Sequence, residues 1–271
     1  MTYRLLNLAC GSKVSRQGEW TNVDFESPED QVIEMNILRG LKFSNASFDV
    51  VYSAQFIEHL TLDEAEHVLK DVARVMKPGG IIRLVTPDLE ELTRAYLTLL
   101  DQLKAKSDPI VNGRYDWIKL EIFDQIVRDC SGGDWQRFLA TCNKDTRNFI
   151  IARLGYSVSA MLAPQEVARQ RLTLDALLRK LHRIPRRVWK MMTNLFATDS
   201  MRVGRFRRSG EVHRYMHDIY SLSRTLEEAG FHSIQRVDAL KSEIPNWERY
   251  ELDVVGGEVD GPLCLYVEAR R

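Results

Sequence analysis

The order of short apolar runs near the start of the chain constrains its fold more than any other feature. Residues 5–25, LLNLACGSKVSRQGEWTNVDF, place an apolar run, a turn of small residues and a second run ending in Asp24 close together. A short apolar run closed by turn chemistry reads as a buried strand. RLLNLAC is the first such run, and TNVDFE, QVIEMNI and SFDVVYSA follow it. The period then changes. In TLDEAEHVLKDVARVM, Ala65, Val68, Leu69, Val72 and Val75 recur at helical spacing behind a capping-box pattern, Thr61 with Glu64. Lys77-Pro78-Gly79-Gly80 is expected to stop this helix, because proline cannot continue it and glycine can turn left-handed. IIRLVTP returns to strand, so the order predicts an α/β fold with a mostly parallel sheet.

That rhythm lapses for about a hundred residues. DLEELTRAYLTLLDQLKAK reads as an amphipathic helix, and residues 115–200 read as further helices carrying Trp, Tyr and Phe. The alternation returns in HDIYSLSRTLEEAGF, with Asp218 or Ser221 as cap and Gly230 as stop, before the strands HSIQRVDAL and PLCLYVEARR. The organisation expected is one α/β domain from 1–90 and 211–271, interrupted by a largely helical insertion at 91–210. With 271 residues, 44% of them hydrophobic, the chain can bury a substantial core. No apolar run reaches the length of a membrane span, and no leader pattern opens the chain, so a cytoplasmic protein is expected. Four scattered cysteines, Cys10, Cys130, Cys142 and Cys264, signal neither a disulfide framework nor a zinc site.

In open α/β sheets ligands bind at the carboxyl ends of the strands, where small residues let backbone approach a cofactor. Ala9, Cys10, Gly11 and Ser12 sit at such an end, and Asp24, tipping the next strand, is placed to accept hydrogen bonds from ribose hydroxyls. Nicotinamide and flavin proteins share this arrangement. The chain has, however, no G-x-G-x-x-G opening a helix and no G-x-x-x-x-G-K-[ST], which argues against pyrophosphate or triphosphate cradling.

Four ordered motifs, LNLACGS, NVDF, FDVVYSAQFIEHL and VARVMKPGGIIRLVTPDLEEL, together with the closing YSLSRTLEEAGFHSIQRVDA, resemble those of class I S-adenosylmethionine-dependent methyltransferases, in particular the type 11 group. The resemblance covers about half the chain and implies a Rossmann-like, seven-stranded sheet with S-adenosylmethionine as cofactor. It places Asn7, Ala9, Cys10 and Gly11 in the cofactor loop, Asp24 on the ribose, Asn36 and Ile37 near adenine, and Ser53 and Ala54 facing the methionine portion. The chain departs from the family pattern at Asn7, Ala9, Lys13 and Asn36, and only about nine residues separate Ser12 from the second strand, so the first helix is expected to be nearly absent.

Methyl transfer to a hydroxyl needs alignment and a proton acceptor with a pKa near the working pH. Among the six histidines, His213 in GEVHRYMHD is the first choice as base, His59 in IEHL the second, with Asp218 as orienting partner. In GRYDWIKLEIFDQIVRDCSGGD, the residues Arg114, Tyr115, Asp116, Asp124, Gln125 and Arg128, with Tyr215 beyond the insertion, suit a polyhydroxyl acceptor, although Trp117, Leu120, Ile122, Phe123 and Ile126 equally fit a helical core. Asp116, Glu121 and Asp124 are poorly spaced for a metal, and none is expected. The net charge is zero, yet residues 179–208 carry ten Lys or Arg against Asp199 alone, a local charge of +9. This segment suits peripheral contact with anionic lipid, phosphate recognition or a solvated surface; nucleic acid is the weakest fit, since the whole chain is not basic. The resulting expectation is an O-methyltransferase of a sugar or glycan intermediate of surface polysaccharide assembly. The alternatives are N- or O-methylation of another small metabolite or natural product, and a cofactor-binding partner protein without turnover.

Overall fold

The computed structural model describes residues 3–162 and 197–271. Its centre is a seven-stranded sheet built from β1 (Leu5–Leu8), β2 (Trp20–Asp24), β3 (Val32–Glu34), β4 (Phe48–Ala54), β5 (Met76–Pro87), β6 (His232–Val237) and β7 (Cys264–Arg270). The order across the sheet is β3-β2-β1-β4-β5-β7-β6. The first five strands run parallel, and β7 enters antiparallel to both β5 and β6. This is the expected Rossmann-like α/β sheet. Leu5 pairs with Trp20 on one side and Val50 on the other, so the strand order reverses at β1 and opens a crevice at the carboxyl ends of β1 and β4. Leu5, Leu6, Leu8, Val50 and Val51 are buried, as near-continuous apolar runs in a two-faced sheet require.

One face is covered by helices. Helix α1 (Leu62–Val75) starts on the Thr61–Glu64 capping box and buries all five residues of its apolar stripe. It ends at Val75, ahead of the proline, but residues 76–80 continue as the start of β5 and do not form a separate turn. The last helix of the domain, Ile219–Glu228, is capped reciprocally by Asp218 and Ser221, and Gly230 follows it at φ +90°. Its Leu222 and Leu226 join Val68, Leu69 and Val72 of α1 over Leu6, Val51, Ile82 and Val267.

The other face is built differently, because no helix lies between β1 and β2. Residues 238–253 cover it instead. Ile244, Trp247, Tyr250 and Leu252 pack on Leu5, Trp20, Val50 and Tyr52. Trp20 meets Tyr250 edge-on at 5.1 Å between ring centroids. Beneath these rings Arg83, fully buried, donates to Asp253 Oδ2 and Glu268 Oε1, each at 2.7 Å, and Tyr52 donates its hydroxyl to Asp253 Oδ1. Burial opposes the arginine's charge, yet the two carboxylates outweigh it and hold the guanidinium pKa above its ordinary value.

After β5 the chain forms α2 (Leu89–Ala105), α3 (Pro109–Val127), α4 (Gly133–Thr141), α5 (Lys144–Leu154) and α6 (Tyr156–Leu162), and α7 (Asp199–Phe206) precedes the return to the sheet. Asp88 and Asp108 cap α2 and α3 through their carboxylates. These helices have a small core of their own around Leu99, Trp117, Ile118, Leu139, Ile150 and Val158, with Trp117 stacked on Trp135 at 5.0 Å. Three ties fix them over the strand ends: Leu89 N–H to the His217 carbonyl, His213 N–H to that of Gln125, and Gly155 paired with Asp260. Most of the basic segment 179–208, including His182, lies outside the described residues.

Candidate functional site

At the carboxyl ends of β1, β2 and β4 the sheet opens into a cleft of about 550 Å³. Ala9, Gly11, Asp24, Asn36 and Ile37 line it, together with Phe25, Phe56, His59 and the segment Arg207–Gly210 from the end of the insertion. The loop after β1 is a tight backbone turn: Ala9 sits at φ +54° and Gly11 at φ +53°. Ala9 therefore holds, at a steric cost, a conformation that glycine adopts freely. Asp24 shapes this loop, since its Oδ2 accepts from Gly11 N–H and its Oδ1 from Phe25 N–H, each at 2.6 Å. A carboxylate offers about four acceptor positions, so capacity is left over for a ligand. Asn36 accepts from Leu38 N–H and starts a turn of 3-10 helix at the cleft wall.

The remaining residues expected at the cofactor support the cleft without lining it. Asn7 is buried and donates to the Lys13 carbonyl and Asn22 Oδ1, tying the loop to β2. Ser53 donates to the Leu8 carbonyl, and Ala54 packs with the aromatic cluster on the opposite face. Cys10 is buried, and its thiol is pushed up to about 11, mainly by desolvation. No single strand signals these differences. Whether a strand-tip residue faces the cleft depends on its register against both neighbours.

A second, smaller cavity of about 160 Å³ lies between the ends of β5 and β7 and the helices of the insertion. Its wall combines Leu92, Trp135, Leu154 and Val158 with Gln55, Asp88, Glu121, Gln125, Arg153, Ser157, Asp260 and Cys264. Most of the charges are matched: Glu121 accepts from Arg153 and from Trp117 Nε1, Asp260 pairs with Lys13, and Asp88 with Arg236. Trp135 Nε1 is buried without a protein partner. Gln55, at the tip of β4, lines both the cleft and the cavity.

Most of the acceptor residues read from the sequence lie away from this cavity. Arg114 lies over Phe149, Tyr115 stacks on Tyr96, and exposed Asp116 faces Lys119. Asp124 and Arg128 form a buried ion pair that Glu211 extends, and Tyr215 packs on His217. None of these six lines the cleft or the cavity. Gln125 does, one helical turn after Glu121; that i, i+4 pair was the available sequence signal.

The histidines are rearranged as well. His213 is buried behind His59, the rings meeting edge-on at 4.8 Å. Desolvation first, then the neighbouring His59 and Arg128, push its pKa down to about 3, which makes it a poor proton acceptor at neutral pH. Asp218 serves as the cap of the last helix and does not hold His213. His59 reaches the cleft, and its Nδ1 lies 3.2 Å from the Val212 carbonyl. Burial, partly countered by that hydrogen bond, lowers its pKa. The neutral ring that donates from Nδ1 keeps an acceptor lone pair on Nε2. Glu58, fully buried beside it, accepts from Thr86 and is pushed up to about 7, mainly by desolvation. Among the described residues, Glu58, His59 and His213 are the one group with metal-ligand chemistry, one donor atom of each lying within 4.8 Å of the others.

Residues 12–84, which run from the loop after β1 to the middle of β5, match the Methyltransf_11 family model, described as a methyltransferase domain. Over that stretch, about a quarter of the chain, the sequence is similar to a methyltransferase domain. Solved structures similar to it include the [4+2]-cyclase SpnF, at 19% identity over 31% of this chain and 38% of that one, TM-score 0.26. A SAM-dependent methyltransferase from Archaeoglobus fulgidus aligns at 14% identity over 99% of this chain and 86% of that one, TM-score 0.39. An S-adenosylmethionine-dependent methyltransferase from Mesorhizobium loti aligns at 14% identity over 99% and 91%, also at 0.39. No curated protein matches the sequence. Among the described residues no helix is long and apolar enough to cross a membrane.

Proposed function

We propose that the chain transfers the methyl group of S-adenosylmethionine to a hydroxyl oxygen of a sugar or glycan intermediate of surface polysaccharide assembly. The observation that carries this reading is the cavity of mixed polarity beside the cleft, which meets it at Gln55 and sets a buried, unpartnered indole N–H among side-chain amides and carboxylates on a largely apolar wall. Aromatic walls with fixed polar groups suit a polyhydroxyl ligand, because each hydroxyl needs a partner once it leaves water. The cofactor would lie in the cleft with its ribose on Asp24 and its adenine by Asn36 and Ile37.

Bound there, the cofactor would supply an electrophilic methyl group on sulfonium sulfur, with the neutral thioether as leaving group. His59, whose Nε2 keeps a lone pair when Nδ1 donates to the Val212 carbonyl, would take the hydroxyl proton. Alignment supplies much of the acceleration, and the helices roofing the cavity restrict the acceptor's approach.

Two measurements test the reading. Calorimetry should show S-adenosylhomocysteine binding to the wild type, weakened about 10- to 100-fold in Asp24→Asn by loss of a charged hydrogen bond. Methyl-labelled cofactor, incubated with free and nucleotide-linked sugars, should leave the label as an ether. Label found on nitrogen, or cofactor bound without transfer to any polyhydroxyl, would refute the sugar assignment.

A further inference from the structure

Gln55 is the residue common to the cleft and the cavity, and its backbone is unusual. It follows the last residue of β4 at φ +53°, a left-handed conformation that side chains with a Cβ rarely adopt. The conformation is held from one side by its own N–H, which donates to the Val85 carbonyl at 2.8 Å. Glycine would take this turn without steric cost. The side chain it carries is not used for packing, for Gln55 is exposed. Strain of this kind at a strand tip points to a role for the side chain.

The side chain is nonetheless oriented. Gln55 Nε2 donates to Cys264 Sγ at 3.2 Å across the mouth of the cavity, and burial pushes that thiol up to about 12, so it stays protonated and neutral. With the amide nitrogen engaged there, the carbonyl oxygen is the end free to accept a hydrogen bond. His59, on the turn Ile57–His59 that follows directly, lines the same cleft.

We infer that Gln55 stands at the point of methyl transfer, its amide carbonyl accepting from the acceptor and aligning the nucleophile with the cofactor's methyl group. This rests on the reading of the cleft as the cofactor site. It does not depend on which atom of the acceptor is methylated. An amide suits the task because it accepts a hydrogen bond without competing for the proton that His59 must take. A misplacement of about 1 Å costs on the order of 100-fold in rate, so the loss expected on removing the carbonyl falls in kcat.

The first test needs no acceptor. In a Cys130→Ser background, which removes the exposed native thiol, Gln55→Cys is treated with a small maleimide with and without S-adenosylhomocysteine. Protection of at least tenfold is expected. Unprotected labelling in protein that binds the cofactor by calorimetry would overturn the inference. Loss of cofactor binding by the wild type, in contrast, is a failure of the cleft reading, and the two results are distinguishable. The second test uses whichever acceptor the wild type methylates. Gln55→Ala should lose about 100-fold in kcat with KM for the cofactor unchanged, and Gln55→Glu, which retains an acceptor oxygen at the same reach, should recover most of it. Equal kcat in Gln55→Ala and wild type would overturn the assignment.

Discussion

Replacing Glu58 by glutamine should make the protein more stable above neutral pH, and the size of the effect follows from the site. Glu58 has no exposed surface; its Oε2 accepts from Thr86 and its Oε1 has no partner. Desolvation outweighs the two hydrogen bonds that favour the anion and raises the carboxyl from 4.5 to about 7. Between those values the folded protein keeps a proton that the unfolded chain has released. Stability therefore falls as pH rises from 4.5 to about 7 and is level beyond. At 1.36 kcal/mol per pH unit the penalty at pH 8 is about 3 kcal/mol. An amide is neutral throughout, can still accept from Thr86, and carries no such slope. Urea unfolding of wild type and Glu58→Gln at pH 5 and pH 8 should give similar stabilities at the lower pH. At the higher, the variant should lead by about 3 kcal/mol, roughly 6–12 °C in Tm for a chain of this size. The comparison isolates Glu58 because the buried histidines act oppositely. His213 and His217, lowered to about 3 and about 4 by burial, withdraw stability from both proteins as pH falls below 6.5. Parallel stability curves, or a variant less stable at pH 8, would refute the claim that Glu58 ionises at a cost inside the fold.

Two further substitutions probe how the site is held. Arg83→Met should cost about 3–5 kcal/mol in urea unfolding at pH 7, because it strands Asp253 and Glu268 together without a cation; a loss below about 1 kcal/mol would show that the network contributes little. Gly155→Ala should cost at least about 2 kcal/mol, since its Cβ would come 2.1 Å from the Val259 carbonyl at φ +71°, whereas Gly256→Ala, at φ +58° but in open space, should cost only about 1 kcal/mol; equal losses by thermal unfolding would refute the close approach of the insertion to the segment around Val259.

Local chemistry made much of the frame readable. The capping box at Thr61 marked one helix start, because it satisfies orphan amides through residues three apart in sequence, and of the two caps read for the last helix the structure uses Asp218 with Ser221 as its reciprocal partner. The loop after β1 and the acid tipping β2 were readable at the strand ends, but the hydrogen bond by which Asp24 holds Gly11 N–H appears only in the structure. The acceptor side was less accessible. Asp124 and Arg128 sit at i, i+4 on a helix and neutralise each other, while Glu121 and Gln125, on the same helix, turn toward the cavity. Both pairs share the same i, i+4 spacing, and the packing of α3 against its neighbours decides which of them faces the cavity. His213 was misplaced for a related reason, since the chemistry of an imidazole depends on solvent access.

The sequence by itself determined the α/β alternation, the strand ends, the loop and its acidic partner, because each rests on contacts between residues near one another in the chain. Tertiary structure alone decided three other features. Residues 238–253 take the place of the missing first helix, with Trp247 and Asp253 reaching Tyr52 and Arg83 from far along the chain. Glu58, His59 and His213 meet because the return from the insertion crosses the turn after β4. Gln55 comes to divide two cavities whose walls are drawn from the sheet, the insertion and the residues around Asp260. Desolvation, strain and cavity shape are properties of the assembled fold, and no local pattern encodes them.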